Sequence, residues 1–126
     1  MSDLINSLSI AASGMEAQAQ RLRHVSENIA NADTPGYHRK TISFRDEIDG
    51  KGVETGPVRL DRSELTQIYD PGHPLANESG HYDGSNVNLV VEIADAREAQ
   101  RSYEANLKLF DQARQMNQSL FEILRR

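Results

Sequence analysis

Residues that break helices are confined to the middle of this 126-residue chain. All four prolines and seven of the eight glycines lie between residues 35 and 84, and the first 34 residues contain only Gly14. Because proline costs a helix interior about 3 kcal/mol and glycine about 1 kcal/mol, the two ends are free to form long helices and the middle is not. This distribution predicts an N-terminal helix within 1–34, a middle region at 35–85 and a C-terminal helix within 86–126.

Apolar residues of the N-terminal segment recur with a seven-residue period, which is typical of a helix that packs along one seam. Gln18 is the single polar member of these positions. The segment is expected to stop before Pro35, because Thr34 precedes a proline and Pro35-Gly36 suits the centre of a type II turn. The predicted N-terminal seam consists of Leu4, Leu8, Met15, Leu22, Val25 and Ile29.

The C-terminal segment carries an apolar stripe that drifts around the helix, as expected when a straight 3.6-residue helix is compared with a 3.5-residue repeat. Asn86 or Asn88 could cap its start. The predicted interface residues on this helix are Tyr103, Leu107, Phe110, Met116, Leu120 and Ile123.

Short alternating runs in the middle region predict three strands, at residues 41–44, 58–60 and 65–69. Glycine and proline mark turns between them, the first at residues 50–52. The fold class is therefore mainly α, with two long terminal helices that pair as a coiled coil and a small β-rich insertion. The conformational entropy lost when such long helices form costs more free energy than apolar burial against so small a middle region can return. We therefore expect the two helices to pack against each other and against helices of other subunits, and to fray in dilute monomer.

Several function classes are disfavoured by composition. The chain has no cysteine and a formal net charge of −5, which argues against thiol chemistry and against nonspecific nucleic-acid binding. No apolar run is long enough for a membrane span, and the start lacks the features of a cleaved signal peptide. No phosphate-binding loop, HExxH motif or serine elbow is present. We therefore expect a protein that is not an enzyme and needs no cofactor, and any export of it must use a route that reads no cleaved signal peptide.

One group of residues invites a metal interpretation. Asp70, His73, His81 and Asp83 could supply two imidazoles and two carboxylates, as in a metal-dependent hydrolase. The favoured alternative is a rigid turn whose side chains bond the backbone, because these residues lie in turn sequence without helical or strand spacing. That turn consists of Asp70, Pro71, Gly72, His73 and Pro74.

Motifs at both ends and in the middle resemble the bacterial flagellar axial family of rod, hook and hook-associated proteins. At the N-terminal end they are Ser13-Gly14-Met15 and residues 28–37, which include Asn28, Asn31, Thr34, Pro35, Gly36 and Tyr37. At the C-terminal end they are Asn86-Val87-Asn88, Glu92 and residues 101–106. In the middle, residues 69–74 with Ala76 and Gly80 are similar to the proximal-rod members of that family. Members of that family usually have Gly-Tyr-Val and then a proline just before the Asn-Val-Asn, and residues 80–85 of this chain differ from that pattern.

The resemblance implies a structural subunit of the proximal rod, in the periplasmic part of the flagellar basal body. Its terminal helices would line a helical tube that transmits torque to the hook, and residues 28–37 would fix the exit of the chain from the first helix. The implied partners are copies of itself, other rod proteins, a rod-base adaptor and the type III export apparatus. A free-standing helical adaptor or export chaperone, and another proximal-rod subunit, remain the alternative interpretations.

Overall fold

The computed structural model describes residues 2–47 and 52–125, and its main elements are two long helices. Helix α1 spans Ser2–Ala30 and helix α2 spans Leu89–Arg125. The predicted fold class, with paired terminal helices around a small β-strand region, is confirmed. The predicted turn at residues 50–52 lies largely outside the described residues.

Helix α1 ends earlier than residue 34, in a set of short turns. The backbone N–H and the side-chain amide of Asn31 both donate to the carbonyl of Glu27, at 3.1 and 2.8 Å. Tyr37 N–H donates to the carbonyl of Thr34 at 3.2 Å, and Gly36 at the third position of that turn has φ +74°. A positive φ there is what a type II turn requires, so the predicted Pro35-Gly36 turn is confirmed.

Helix α2 begins with an asparagine cap. The Asn88 side-chain oxygen accepts hydrogen bonds from the backbone N–H groups of Val90, at 3.0 Å, and Val91, at 3.4 Å. These N–H groups have no partner inside the helix, so the cap stabilises the first turn. Of the two candidate caps, Asn88 therefore holds the position.

The two helices run antiparallel in one register. Asn28 meets Glu92 near one end of the pair, and Gly14 lies against the side chain of Asn106 further along. The same register places residue 118 of α2 beside Ser2. The last two turns of α2, residues 119–125, therefore extend beyond the first residue of α1 that the structure describes.

Small residues dominate the fully buried contact between the helices. Val25 is the one member of the predicted N-terminal seam that is fully buried, whereas Leu4, Leu8, Met15 and Leu22 are half-buried and Ile29 is exposed. The seven-residue period correctly marks Ala11 and Val25, which share one heptad position, as buried, but it does not show that the larger seam residues keep part of their surface exposed. The buried apolar residues are Ala11, Ala17, Val25, Ala99 and Ala113.

Within the described residues, the middle region forms three separate two-stranded antiparallel sheets. The predicted strand at 41–44 is divided between two sheets, and the strands at 53–55 and 81–83 were not predicted, because neither run has a clear alternation of apolar and polar residues. The pairs are β1 (Lys40–Thr41) with β4 (Arg59–Leu60), β2 (Phe44–Asp46) with β3 (Val53–Thr55), and β5 (Gln67–Tyr69) with β6 (His81–Asp83).

The β2–β3 hairpin is fixed to the side of α1. Val53 N–H donates to the hydroxyl of Ser13 at 3.1 Å, and the hydroxyl of Thr55 donates to the side-chain oxygen of Gln20 at the same distance. Of the helices in the described part of the chain, neither has the length and apolarity that crossing a membrane would require.

Candidate functional site: a buried polar junction and an exposed apolar flank

A fully buried asparagine stands where the two helices and the middle region meet. The side-chain oxygen of Asn28 accepts hydrogen bonds from the Tyr37 hydroxyl and the Lys40 N–H, both at 2.8 Å. Its side-chain nitrogen donates to the Lys40 carbonyl at 3.0 Å and to Glu92 Oε2 at 3.3 Å. All four hydrogen-bonding positions of the amide are therefore occupied.

Glu92 is also fully buried, and the neighbouring Arg39 balances its negative charge. Glu92 Oε1 accepts a hydrogen bond from Arg39 Nε at 2.6 Å, and Arg39 also reaches Asp95 at 3.4 Å and Asp61 at 3.6 Å. The hydrogen bond to Glu92 is the main reason that the pKa of Arg39 lies above its usual range. A buried carboxylate is tolerated only with such pairing, so Arg39 is required by Glu92.

Asn86 closes this arrangement from the other side. Its side-chain oxygen accepts from the Arg39 N–H at 2.7 Å, and its side-chain nitrogen donates to the carbonyl of Asp61 at 2.8 Å. The segment that precedes α2 is further fixed by the Gly36 N–H, which donates to the carbonyl of Gly84 at 3.0 Å. We refer to Asn28, Tyr37, Arg39, Asn86 and Glu92 as the polar junction.

Ion pairs surround the polar junction on its exposed side. Lys40 Nζ lies 2.9 Å from Glu27 Oε2, and this hydrogen bond is the main reason that the pKa of Glu27 is lowered and that of Lys40 is raised. Arg21 links α1 to α2 through Asp95, at 3.4 Å, and Glu98, at 3.3 Å. The two Arg21 pairs connect helices that are distant in sequence, whereas the Lys40–Glu27 pair connects α1 to β1 over 13 residues.

The structure brings residues from both terminal family motifs into one place. Asn28, Asn31 and the turn at 34–37 come from the N-terminal motif, and Asn86 and Glu92 come from the C-terminal motif. Arg39 was not predicted, although it is the first basic residue after the turn and the partner that the buried Glu92 needs. The residues of the middle motif, Asp70 to Pro74, lie elsewhere, in the loop between β5 and β6.

That loop is organised by its own hydrogen bonds, as the turn interpretation predicts. His73 N–H donates to the carbonyl of Asp70 at 3.0 Å, and His73 Nδ1 accepts from the Leu75 N–H at 3.1 Å. The His73 ring stacks on Tyr82, with centroids 3.9 Å apart. Across residues 2–47 and 52–125, no three His, Asp or Glu side chains converge as metal ligands would.

Helix α2 presents large apolar residues that the described part of the chain covers only in part. Four of them share one face, because they are spaced by 7, 4 and 3 residues along the helix. Of the other predicted interface residues, Tyr103 and Phe110 are half-buried and Leu107 is 40% exposed. The exposed face, which we call the apolar flank, consists of Leu109 at 58%, Met116 at 58%, Leu120 at 37% and Ile123 at 66% exposure.

Comparison with known proteins agrees with this arrangement. Residues 8–38 match the family model described as flagella basal body rod protein, and residues 78–123 match the C-terminal model of the flagellar basal body rod FlgEFG proteins. The flagellar basal-body rod protein FlgC of Agrobacterium fabrum is 47% identical over 92% of this chain and 91% of its own length. The chain belongs to the FlgC family of flagellar basal-body rod proteins.

More distant members of the FlgC family match over the same extent. The FlgC proteins of Borreliella burgdorferi and Salmonella typhimurium are each 32% identical, over 96% and 90% of this chain and 97% and 92% of their own lengths. The resemblance drawn from the motifs is therefore confirmed, and the chain is a structural subunit of the flagellar basal-body rod. The adaptor and hydrolase interpretations find no support in these matches. That the chain has no enzymatic activity stays a prediction.

Proposed function

We propose that this subunit forms part of the proximal rod, and that it assembles through the faces of α1 and α2 that its own fold leaves uncovered. The observation that carries this proposal is the exposed apolar flank of α2, which includes Ile123 on the overhanging turns at 119–125. Burial of apolar surface yields about 25 cal/mol per Å². Contiguous exposed apolar surface on a small protein is typical of an interaction site.

The proposed assembly interface includes both predicted sets of apolar residues. On α1 the half-buried seam residues have part of their surface free for a neighbouring helix, and on α2 the exposed residues have between 37% and 66% of theirs free. We propose as interface residues Leu4, Leu8, Met15, Leu22, Val25, Ile29, Tyr103, Leu107, Phe110, Met116, Leu120 and Ile123. Val25, already buried within the chain, would contribute by holding α1 on α2.

The polar junction has a separate proposed role, which is to hold the helix pair and the middle region in one fixed relation. It contacts α1 through Asn28, α2 through Glu92 and the middle region through Arg39. Fully satisfied buried polar networks rigidify a fold. A rigid connection is what a rod subunit needs if torque is to pass between the tube of helices and the outer region at 35–85.

The route and location follow from the proposed function. The chain would be exported by the flagellar type III apparatus without a cleaved signal peptide and would assemble in the periplasm. Copies of itself, other rod proteins and a rod-base adaptor would be its partners, and it would bind no nucleic acid and no cofactor. Order in the helix ends would then increase on assembly, because other subunits supply the missing contacts.

A clean deletion of the gene, scored by swimming and by electron microscopy of isolated basal bodies, tests the proposal. We expect membrane-embedded rings without a completed rod, and restoration by the wild-type gene. Complete rods in the deletion strain would contradict it. Purified protein that forms small closed oligomers, and no concentration-dependent polymer, would instead favour the adaptor interpretation.

A further inference from the structure

Helix α2 carries a basic face that is directed away from α1. Arg97, Arg101 and Lys108 are spaced by 4 and 7 residues, so they share one side of the helix, roughly opposite the buried Ala99 and Ala113. All three are exposed. Within the described residues none of the three forms an ion pair. Glu104 lies within this face, three residues after Arg101 and four before Lys108, and the three cations leave the face net positive.

The β5–β6 hairpin has the opposite character. Residues 63–85 contain no lysine or arginine, and their four carboxylates are exposed and form no ion pair with any described residue. We call this segment the acidic hairpin. Its carboxylates belong to Glu64, Asp70, Glu78 and Asp83.

One side of the acidic hairpin also presents a fixed aromatic ring. Tyr69 is 67% exposed, and its ring lies directly over Gly80, since a Cβ there would be 2.9 Å from Tyr69 Cε2. The rings of Tyr69 and His81 are 5.1 Å apart. In this two-stranded register Asp83 projects from the same side as Tyr69. An exposed aromatic ring on the same side as a carboxylate is a setting in which an arginine side chain binds by cation–π contact and ion pairing.

The two surfaces are separated along the molecule. The hairpin leads directly into the start of α2, whereas the basic face begins at Arg97, about 12 Å further along the helix axis. A rigid hairpin at the junction end of one copy would therefore reach the basic face of a neighbouring copy displaced along the axis.

We propose that the acidic hairpin of one copy docks on the basic face of a second copy, with Tyr69 and Asp83 of the first receiving Arg97 and Arg101 of the second. Charge complementarity is the reason to choose a second copy as the occupant, because a chain of net charge −5 otherwise repels itself. The two surfaces differ, so the contact is head-to-tail, and such contacts build open helical polymers when they do not close into rings. The inference rests on the proposed function and names one of its subunit contacts.

Because the chain has no cysteine of its own, cysteines introduced on the two surfaces can test this contact by cross-linking. The double variant Asp83→Cys/Arg101→Cys is placed in the deletion strain, and isolated basal bodies are treated with a short bismaleimide cross-linker. We expect dimers and higher multimers of the subunit, and none with either single variant. Double-variant subunits that are present in the basal bodies and give no cross-linked multimers would overturn the docking contact. If the wild-type subunit is itself absent from isolated basal bodies, that result would overturn the proposed function instead.

If the double variant is not incorporated into basal bodies, exchanging the charges of the basic face and the acidic hairpin tests the docking contact. One variant carries Arg97→Glu and Arg101→Glu, and the other carries Asp70→Lys and Asp83→Lys. We expect neither alone to support swimming, and we expect co-expression to restore it, because each variant then supplies the surface that the other needs. Normal swimming with either variant alone, or no restoration by the pair, would overturn the proposal.

Discussion

The side-chain amide of Asn28 and the carboxylate of Glu92 meet 3.3 Å apart, where α1 ends and α2 begins, and neither side chain has exposed surface. They come from opposite ends of the chain and from the two separate segments that match flagellar rod family models. The contact therefore joins the N-terminal and C-terminal segments that match the family models and fixes the register of α1 on α2.

Replacing Asn28 should destabilise the protein strongly. Asn28→Ala leaves the Tyr37 hydroxyl, both backbone groups of Lys40 and part of Glu92 without their partner, and each buried group so stranded costs about 1–3 kcal/mol. Urea unfolding followed by circular dichroism measures the loss. Gln118→Ala, on an exposed position of α2, is the control and should leave the midpoint unchanged. Equal midpoints for the two variants would contradict the role given to Asn28.

Arg39 and Glu92 should be strongly coupled in stability. Arg39→Met leaves a buried carboxylate unpaired, which typically costs about 3–5 kcal/mol, whereas adding Glu92→Met removes that charge and should recover part of the loss. A double-mutant cycle by urea unfolding measures the coupling. Arg45→Met serves as the comparison, because its pair with Glu54 is largely exposed and such pairs contribute about 0–1 kcal/mol. Additive effects of the two junction substitutions would rule out a direct pair.

Acid should weaken the fold through Asp61 and Glu27. Hydrogen bonds from Ser63, with a smaller contribution from Arg39, hold the pKa of Asp61 below its ordinary 3.8, and Lys40 holds that of Glu27 below 4.5. Because the folded pKa values are the lower ones, their stabilisation is complete above the ordinary values and is lost as pH falls through the folded values.

Urea midpoints measured between pH 7 and pH 3 test this expectation. Asp61→Asn keeps the oxygen that accepts from Ser63 but cannot titrate, so the decline in stability on acidification should be shallower than in the wild type. Asp33→Asn, at an exposed turn position, should leave the decline unchanged. A wild-type slope in the Asp61 variant would show that this carboxylate is not linked to folding.

Close approach of the helices at Gly14 should not tolerate a larger side chain. A Cβ at this position would lie 2.8 Å from the amide nitrogen of Asn106, which itself donates to the carbonyl of Ser102 at 2.9 Å. Gly14→Leu should therefore destabilise the pair by about 1–3 kcal/mol despite the better helix propensity of leucine. Ala19→Leu, on the exposed side of α1, is the matched control. Similar thermal unfolding of both variants would contradict the packing at Gly14.

Much of the fold is predictable from the sequence because helix breakers are so unevenly distributed. The absence of glycine and proline after residue 84 allows α2, and Asn88 supplies its cap. The seven-residue period of α1 identifies residues that share a face, but it cannot tell which neighbour covers that face. The direct contact with α2 uses Ala11, which has the same heptad position as Leu4 and Val25, and Ala17, which lies outside that period, since small side chains let the helices approach closely.

The polar junction was only partly predictable. Asn28 and Glu92 stand out through the family motifs, but nothing in the sequence shows that a buried glutamate on α2 would take its countercharge from Arg39. That pairing forms only because the chain folds back after the turn at Gly36 and brings Arg39 next to α2. The strand at residues 81–83 was missed for a related reason, because a three-residue strand is specified by its partner β5 more than by its own pattern.

We propose that other subunits in the rod cover the exposed apolar flank of α2, and a single substitution on the overhanging turns tests this. Ile123 is 66% exposed and lies beyond the described part of α1, so Ile123→Asp should leave the circular dichroism of the purified subunit unchanged. In the deletion strain it should give basal bodies without a completed rod, because assembly would bury an unpaired charge. Gln118→Asp adds the same charge to an exposed polar position of the same helix and should support rods and swimming. Normal rods built from the Ile123→Asp subunit would contradict the claim.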